Sequence, residues 1–188
     1  VLAIPKEGRD LCFILASLSL PFILLYPSAK RWFKYPQLIL SICWGFSVLI
    51  PWAAIESSLD GGLTLVFCWL ASVFWTFGFD TVYAMADEAE DKLIGLNSSV
   101  ISLGDKSIKI VSFCYGLTCF FIAIAAFKAN LGLIYWPFWL ITTLGMQREV
   151  FLLTSRSKGI KTSALHFSNQ VRLGSLLLLG MIFSRLIQ

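Results

Sequence analysis

Apolar runs long enough to cross a bilayer leave this chain few ways to fold. A hydrocarbon core of about 30 Å needs about 20 apolar residues in a helix. Six stretches approach that length: Leu11 to Tyr26, Gln37 to Ile55, Gly62 to Ala86, Ile108 to Phe127, Leu131 to Met146 and Val171 to Ile187. A backbone in lipid must satisfy its own hydrogen bonds, so such runs fold as helices, and neighbours can take up the carbonyls freed at Pro21 and Pro137. Of the 188 residues 57% are hydrophobic and 14% charged, with mean hydropathy +0.79, too apolar for a soluble domain of this size. The sequence therefore predicts an all-α, polytopic transmembrane bundle forming one membrane domain over residues 1–188, partnered by the lipid bilayer and not by nucleic acid.

The net charge of +4 is unevenly spread. Lys30, Arg31 and Lys34 follow the first run; Lys92, Lys106 and Lys109 follow the third; Arg148, Arg156, Lys158, Lys161 and Arg172 surround the connection to the sixth; Lys128 alone marks the opposite side. The positive-inside rule then turns the loops near Lys30, Asp87 and Arg156 to the cytoplasm, or to the stroma-like side of an internal membrane. That orientation argues against glycosylation at the Asn97-Ser98-Ser99 sequon. Cys12, Cys43, Cys68, Cys114 and Cys119 are odd in number, form no C-x-x-C pair and read as small buried hydrophobes.

The third run ends in five acidic residues, Asp80, Asp87, Glu88, Glu90 and Asp91. At about 100° per residue, Asp87 and Asp91 fall roughly 20° to either side of Asp80, so the three carboxylates share one helical stripe, with Tyr83 beside it and Ala84 leaving it uncrowded. Asp80 lies about 27 Å along the helix from Gly62, which sets the stripe at a membrane interface. Unpaired carboxylates there are costly. A hard cation such as Mg²⁺, which takes one or two carboxylates plus phosphate oxygens, would neutralise them; a solvated acidic helix end is the plainer alternative. Tyr26, Lys30 and Arg31 reach the same side directly after the first run, and a phenol with two cations can hold a diphosphate or simply anchor the helix. Metal-binding carboxylates beside phosphate-binding cations suggest an amphiphile with a diphosphate head and an apolar tail.

Between the third and fourth runs, residues 91–109 read as loop with a short helical element, with Ser102 to Asp105 offering cap chemistry for the next helix. His166 has no Ser or Cys partner for a nucleophilic triad and reads as interfacial. Trp69, Phe74, Trp75, Phe77, Phe79 and Phe120 could line a tunnel for an apolar tail or shield a carbocation, though at helical spacing in a membrane protein packing and lipid contact are the better account of them.

The run Asp80-Thr81-Val82-Tyr83-Ala84-Met85-Ala86-Asp87, continuing through Asp91, Ile94-Gly95 and Ser98-Ser99 to Gly104, resembles the second aspartate-rich motif of the UbiA-type intramembrane prenyltransferases, most closely the 4-hydroxybenzoate polyprenyltransferases. Tyr26-Pro27 with Lys30-Arg31, then Pro36-Gln37, Gly45 and Pro51, is similar to that family's segment between its fourth and fifth helices, and Phe167-Ser168-Asn169 through Gly174 to its pattern before the last helix.

The resemblance implies a nine-helix membrane fold in which a Mg²⁺-bound polyprenyl diphosphate ionises and alkylates 4-hydroxybenzoate ortho to its phenol, in quinone biosynthesis. On the matching positions Asp87 and Asp91 would hold Mg²⁺, with Asp80 as a further metal candidate. Asp80 and Tyr83 would support the site, and Tyr26, Lys30 and Arg31 would bind diphosphate. Homogentisate, a naphthoate or a chlorophyll precursor are alternative acceptors, and a non-enzymatic membrane protein with an acidic cation site is the alternative from another class. Lys92-Leu93 and Leu40-Ser41 depart from the family pattern. The chain opens at Val1 with no methionine, and the family's first aspartate-rich motif is not in it. The expectation is a fragment with six helices of nine, lacking about three at its N-terminal side and inactive alone.

Overall fold

In the computed structural model, which describes residues 5–155 and 160–187, every regular element is helical: α1 (Lys6–Trp32), α2 (Pro36–Glu56), α3 (Gly62–Leu93), the short α4 (Ser99–Leu103), α5 (Ser107–Lys128), α6 (Tyr135–Ser155) and α7 (Ile160–Leu186). The six predicted runs are the six long helices. Among the described residues, α1, α2, α3 and the stretch Ser99–Lys128 are long and apolar enough to cross a membrane. Arg148 and Glu149 interrupt α6, and Lys161, His166 and Arg172 interrupt α7. Large side chains such as Phe13, Leu24, Phe127 and Phe151 stand outward, as a lipid solvent allows. The chain is membrane-embedded.

Successive long helices are antiparallel neighbours. Phe22 of α1 meets Phe46 of α2, Ser72 of α3 donates to the Trp44 carbonyl of α2, and Ser112 of α5 donates to Gln147 of α6. α7 then folds back onto α3: the Ser163 hydroxyl donates to the Val82 carbonyl, Phe167 packs on Phe79, and Trp75 donates to Gln170. α3 thus touches α2, α5 and α7 and is the spine of the bundle. Its most extensive packing is on α5, where a Cβ on Gly78 would lie 2.9 Å from the Tyr115 ring. Val82, Ala84, Met85, Val111, Tyr115 and Met146 form the core around that crossing.

Several boundaries differ from the sequence reading: α6 runs nine residues past Met146 to Ser155, and α7 begins at Ile160, eleven residues before Val171. α1 does not stop at Tyr26 but runs through Pro21 and Pro27 to Trp32, so Lys30 and Arg31 are helical. α3 outruns its apolar stretch by seven residues and carries the whole acidic run on one uninterrupted helix, as the shared carboxylate stripe requires. The cap lies earlier than Ser102–Asp105: Ser98 begins α4, its hydroxyl accepting from the Ile101 N–H, while α5 starts after a 3₁₀ turn with no side-chain cap. Arg156 and Lys158 lie outside the described residues.

Candidate functional site

α3 is 32 residues long, about 48 Å, and so outruns a 30 Å hydrocarbon core by several turns. The acidic stripe occupies that excess. Asp80 and Asp91 are buried and Asp87 is half-buried. α1 supplies the partners. Tyr26 and Lys30 are four residues apart and therefore on one helical face. The Tyr26 hydroxyl donates to Asp80 Oδ2 at 3.4 Å, and Lys30 Nζ sits 3.1 and 3.0 Å from the two Asp91 oxygens. Arg31, about 100° round the helix, is exposed and makes no contact with the stripe among the described residues. The structure pairs Tyr26 with Asp80 and Lys30 with Asp91, sets Asp87 between the two pairs on α3, and leaves Arg31 outside. Tyr83 is 53% exposed, on the flank of the stripe.

Asp80 and Asp91 are about 16 Å apart along α3, while Tyr26 and Lys30 are about 6 Å apart along α1, so the two long side chains splay. Asp87 falls between the two anchored carboxylates and has no hydrogen bond or ion pair among the described residues. No three His, Cys, Asp or Glu side chains among those residues gather closely enough to enclose a metal ion, so the stripe is a row of separate carboxylates and not a preformed cage. That suits Mg²⁺, which is held by one or two carboxylates and completes its shell with phosphate oxygens and water.

The loop after α3 braces this end of the molecule. Gly95, at φ +71°, ends the helix: its N–H bonds the Lys92 carbonyl and the Leu96 N–H bonds the Asp91 carbonyl, the paired bonds of a Schellman motif. The turn aims Asn97 at α1, where its N–H donates to the Lys30 carbonyl at 2.7 Å. Ser99 is tied twice. Its N–H donates to Gln37 Oε1, and its hydroxyl donates to Thr81, whose own hydrogen goes to the Phe77 carbonyl. Gln37, Thr81, Ser98 and Ser99 are all buried. Gln37 and Ser99 were visible in the sequence only as parts of matching motifs; Thr81, one residue past Asp80, carried no separate signal.

One turn below Asp80 an apolar groove of about 350 Å³ opens between α2, α3 and α7, lined by Trp44, Trp75, Thr76, Phe79, Phe167 and Gly174 among others. Of the six aromatics singled out in sequence, Trp75 and Phe79 line it; Phe74 packs on Phe121, and Phe120 is exposed. His166 is a correction: it is fully buried, not interfacial. Its Nε2 lies 2.7 Å from the Tyr115 hydroxyl and 3.4 Å from Gln170 Nε2, and its Nδ1 faces Glu149 Oε2 at 3.9 Å. Tyr115 and Glu149, distant in sequence, gave no hint of this.

Comparison with known proteins agrees with the geometry. The description of the UbiA prenyltransferase family matches residues 8–182. The chain is 38% identical over 172 residues to a 4-hydroxybenzoate solanesyltransferase of Synechocystis sp., covering 92% of this chain and 58% of the relative. It is 37% identical over 114 residues to a 4-hydroxybenzoate octaprenyltransferase of Cupriavidus necator, covering 61% and 38%. The chain thus spans only part of the length of the curated relatives it matches. A solved structure of digeranylgeranylglyceryl phosphate synthase superposes with a TM-score of 0.71 at 20% identity, over 92% of this chain and 61% of the other, and shows the fold.

Proposed function

The chain belongs to the UbiA prenyltransferase family, and from that premise we propose that the protein containing it transfers a polyprenyl group from polyprenyl diphosphate to the ring of 4-hydroxybenzoate, with Mg²⁺, in quinone biosynthesis. The observation that carries the reading is Asp87, a half-buried carboxylate with no protein partner among the described residues, set between Tyr26–Asp80 and Lys30–Asp91. Relatives named for 4-hydroxybenzoate support the acceptor.

Asp87 and Asp91, one turn apart, would hold Mg²⁺, which when bound offsets the charge of the diphosphate leaving group. Asp80, two turns from Asp87 and engaged by Tyr26, keeps the phenol aimed at the site. The Lys30–Asp91 pair is a placeholder. A diphosphate entering between α1 and α3 would draw the Lys30 ammonium onto its oxygens and leave the Asp91 carboxylate free to serve with Asp87 as a ligand for Mg²⁺. Tyr26 adds a neutral donor, and Tyr83 borders the opening. The bond from the allylic carbon to oxygen breaks with its electron pair leaving on diphosphate. The ring carbon ortho to the phenol then bonds the cation and passes its proton to an oxygen of the departed diphosphate, in a site whose apolar walls exclude water. These loops face the cytoplasm or its equivalent by their positive charge. The 188 residues alone supply one aspartate-rich motif and are expected to transfer no prenyl group.

The test uses the protein at its full natural length. Asp87→Ala and Asp91→Ala should each lower prenyl transfer to 4-hydroxybenzoate at least a hundredfold at saturating Mg²⁺, and chelation of the metal should do the same to the unaltered enzyme. Undiminished turnover in Asp87→Ala would overturn the metal assignment.

A further inference from the structure

The groove beside the acidic stripe has a wall held by a directed chain of hydrogen bonds. The Trp75 indole N–H can only donate, and it reaches Gln170 Oε1 at 2.9 Å. That contact settles which way the Gln170 amide faces, so its NH₂ points at His166 Nε2, 3.4 Å away. A nitrogen facing an amide donor serves as acceptor, and the Tyr115 hydroxyl donates to the same atom at 2.7 Å. The imidazole proton then sits on Nδ1, on the side of Glu149 Oε2. Tyr115 and His166 are fully buried, and Gln170 and Glu149 nearly so. Such a network, drawn from α3, α5, α6 and α7, is costly to disturb because each member lacks access to water. Two of its members line the groove, Gln170 and, at the end of the chain, Trp75, whose indole presents the larger apolar face.

The groove is placed to continue the stripe. Thr76 lies within about 40° of Asp80 and about 20° of Asp87 around α3, and Phe79 and Trp75 follow on the side toward α7. Gly174 of α7 sits under the indole, where a Cβ would be 3.1 Å from Trp75 Cη2, so the ring is confined from below as well as tethered at its nitrogen.

We propose that Gln170 is a positioning residue that, through its bond to the indole, sets Trp75 as a fixed apolar wall along the path of the isoprenoid tail, and so governs which tail lengths bind. This rests on the prenyl-transfer reading above. About 18 Å separates Asp87 from Trp75 along α3. A ten-carbon tail anchored at its diphosphate is shorter than that span, and a twenty-carbon tail is comparable to it, so only longer tails reach the wall.

Non-hydrolysable polyprenyl thiodiphosphates of ten, twenty and forty-five carbons, with Mg²⁺, would be bound to the full-length protein in nanodiscs. The unaltered protein should bind the twenty- and forty-five-carbon ligands more tightly than the ten-carbon one. Gln170→Leu should lower that preference at least tenfold while leaving the ten-carbon affinity within twofold, and Gln170→Glu, which still accepts from the indole, should restore it. In a Trp75→Phe background, Gln170→Leu should have no further effect on the preference. Equal weakening of short and long ligands by Gln170→Leu, or no preference in the unaltered protein, overturns the proposal. Failure of the prenyl-transfer reading appears separately, as length-dependent binding without transfer to any aromatic acceptor.

Discussion

Lys30 and Asp91 are joined but not equivalent: the lysine side chain is 29% exposed and the carboxylate 6%. Removing the carboxylate leaves an ammonium that can turn to water. Removing the ammonium leaves a buried carboxylate without its counter-charge, a costly change in a low-dielectric site. Lys30→Met should therefore destabilise by about 2 kcal/mol, below the range for a fully buried pair, and Asp91→Asn by less. Because Mg²⁺ would take the place of the ammonium, millimolar Mg²⁺ should raise the thermal midpoint of Lys30→Met more than that of the unaltered protein. Thermal unfolding in detergent with and without the ion reads both effects; a larger loss in Asp91→Asn would contradict the placeholder role. At this scale the carboxylate stripe was legible in sequence because helical periodicity alone aligns it. Tyr26 and Lys30 were legible only as groups on the same side. Their exact partners depend on α1 remaining helical past Pro27, which the sequence reading did not foresee. The setting of His166 was hidden for another reason: its partner Tyr115 is 51 residues away and meets it only through tertiary packing.

Each element end near the site has a mechanical task. Gly95 takes a left-handed conformation that costs about 1–2 kcal/mol for a residue with a Cβ, and its turn delivers Asn97 to the Lys30 carbonyl. Gly95→Ala should therefore cost about 1 kcal/mol of stability and, by loosening the end of α1, raise KM for polyprenyl diphosphate several-fold with little change in kcat. Steady-state kinetics at varied diphosphate concentration check this, and a fall in kcat with unchanged KM would show that the turn acts on something other than Lys30. The six long helices were readable from apolar length, since a bilayer-spanning run has almost no alternative structure. Several of their polar ends were not, because hydropathy falls off before the helix does: α6 keeps its helical course past Met146 through Gln147, Arg148 and Glu149. The cap was misplaced among several serines that local sequence does not rank; Ser98 is the one buried against Gln37 and α3 through its neighbour Ser99.

Across the whole molecule, α3 is where the two flanks meet. α1 brings Tyr26 and Lys30 to the acidic end of it, α5 and α6 brace its other flank, and α2 and α7 complete the groove. The ends of the bundle are also distinct. The α1–α2 turn and the loop after α3 are bonded to each other through Asn97 and Lys30 and through Ser102 and Lys34. The α5–α6 turn instead abuts the end of α7, where the Gly132 N–H donates to Ser184 and Arg185 donates to the Ala129 carbonyl. The site and most loop cations therefore lie at one end, and Lys6, Arg9, Lys128 and Arg185 at the other. The positive-inside rule converts that polarity into a sidedness. Leu93 and Leu133, each 87% exposed, mark the two ends. In a background without the native cysteines, Leu93→Cys should react with a membrane-impermeant maleimide only in inside-out vesicles, and Leu133→Cys only in right-side-out ones. The reverse pattern would place the carboxylate stripe on the outer face and remove the orientation argument; labelling of both sites from one side would contradict the antiparallel order of the helices.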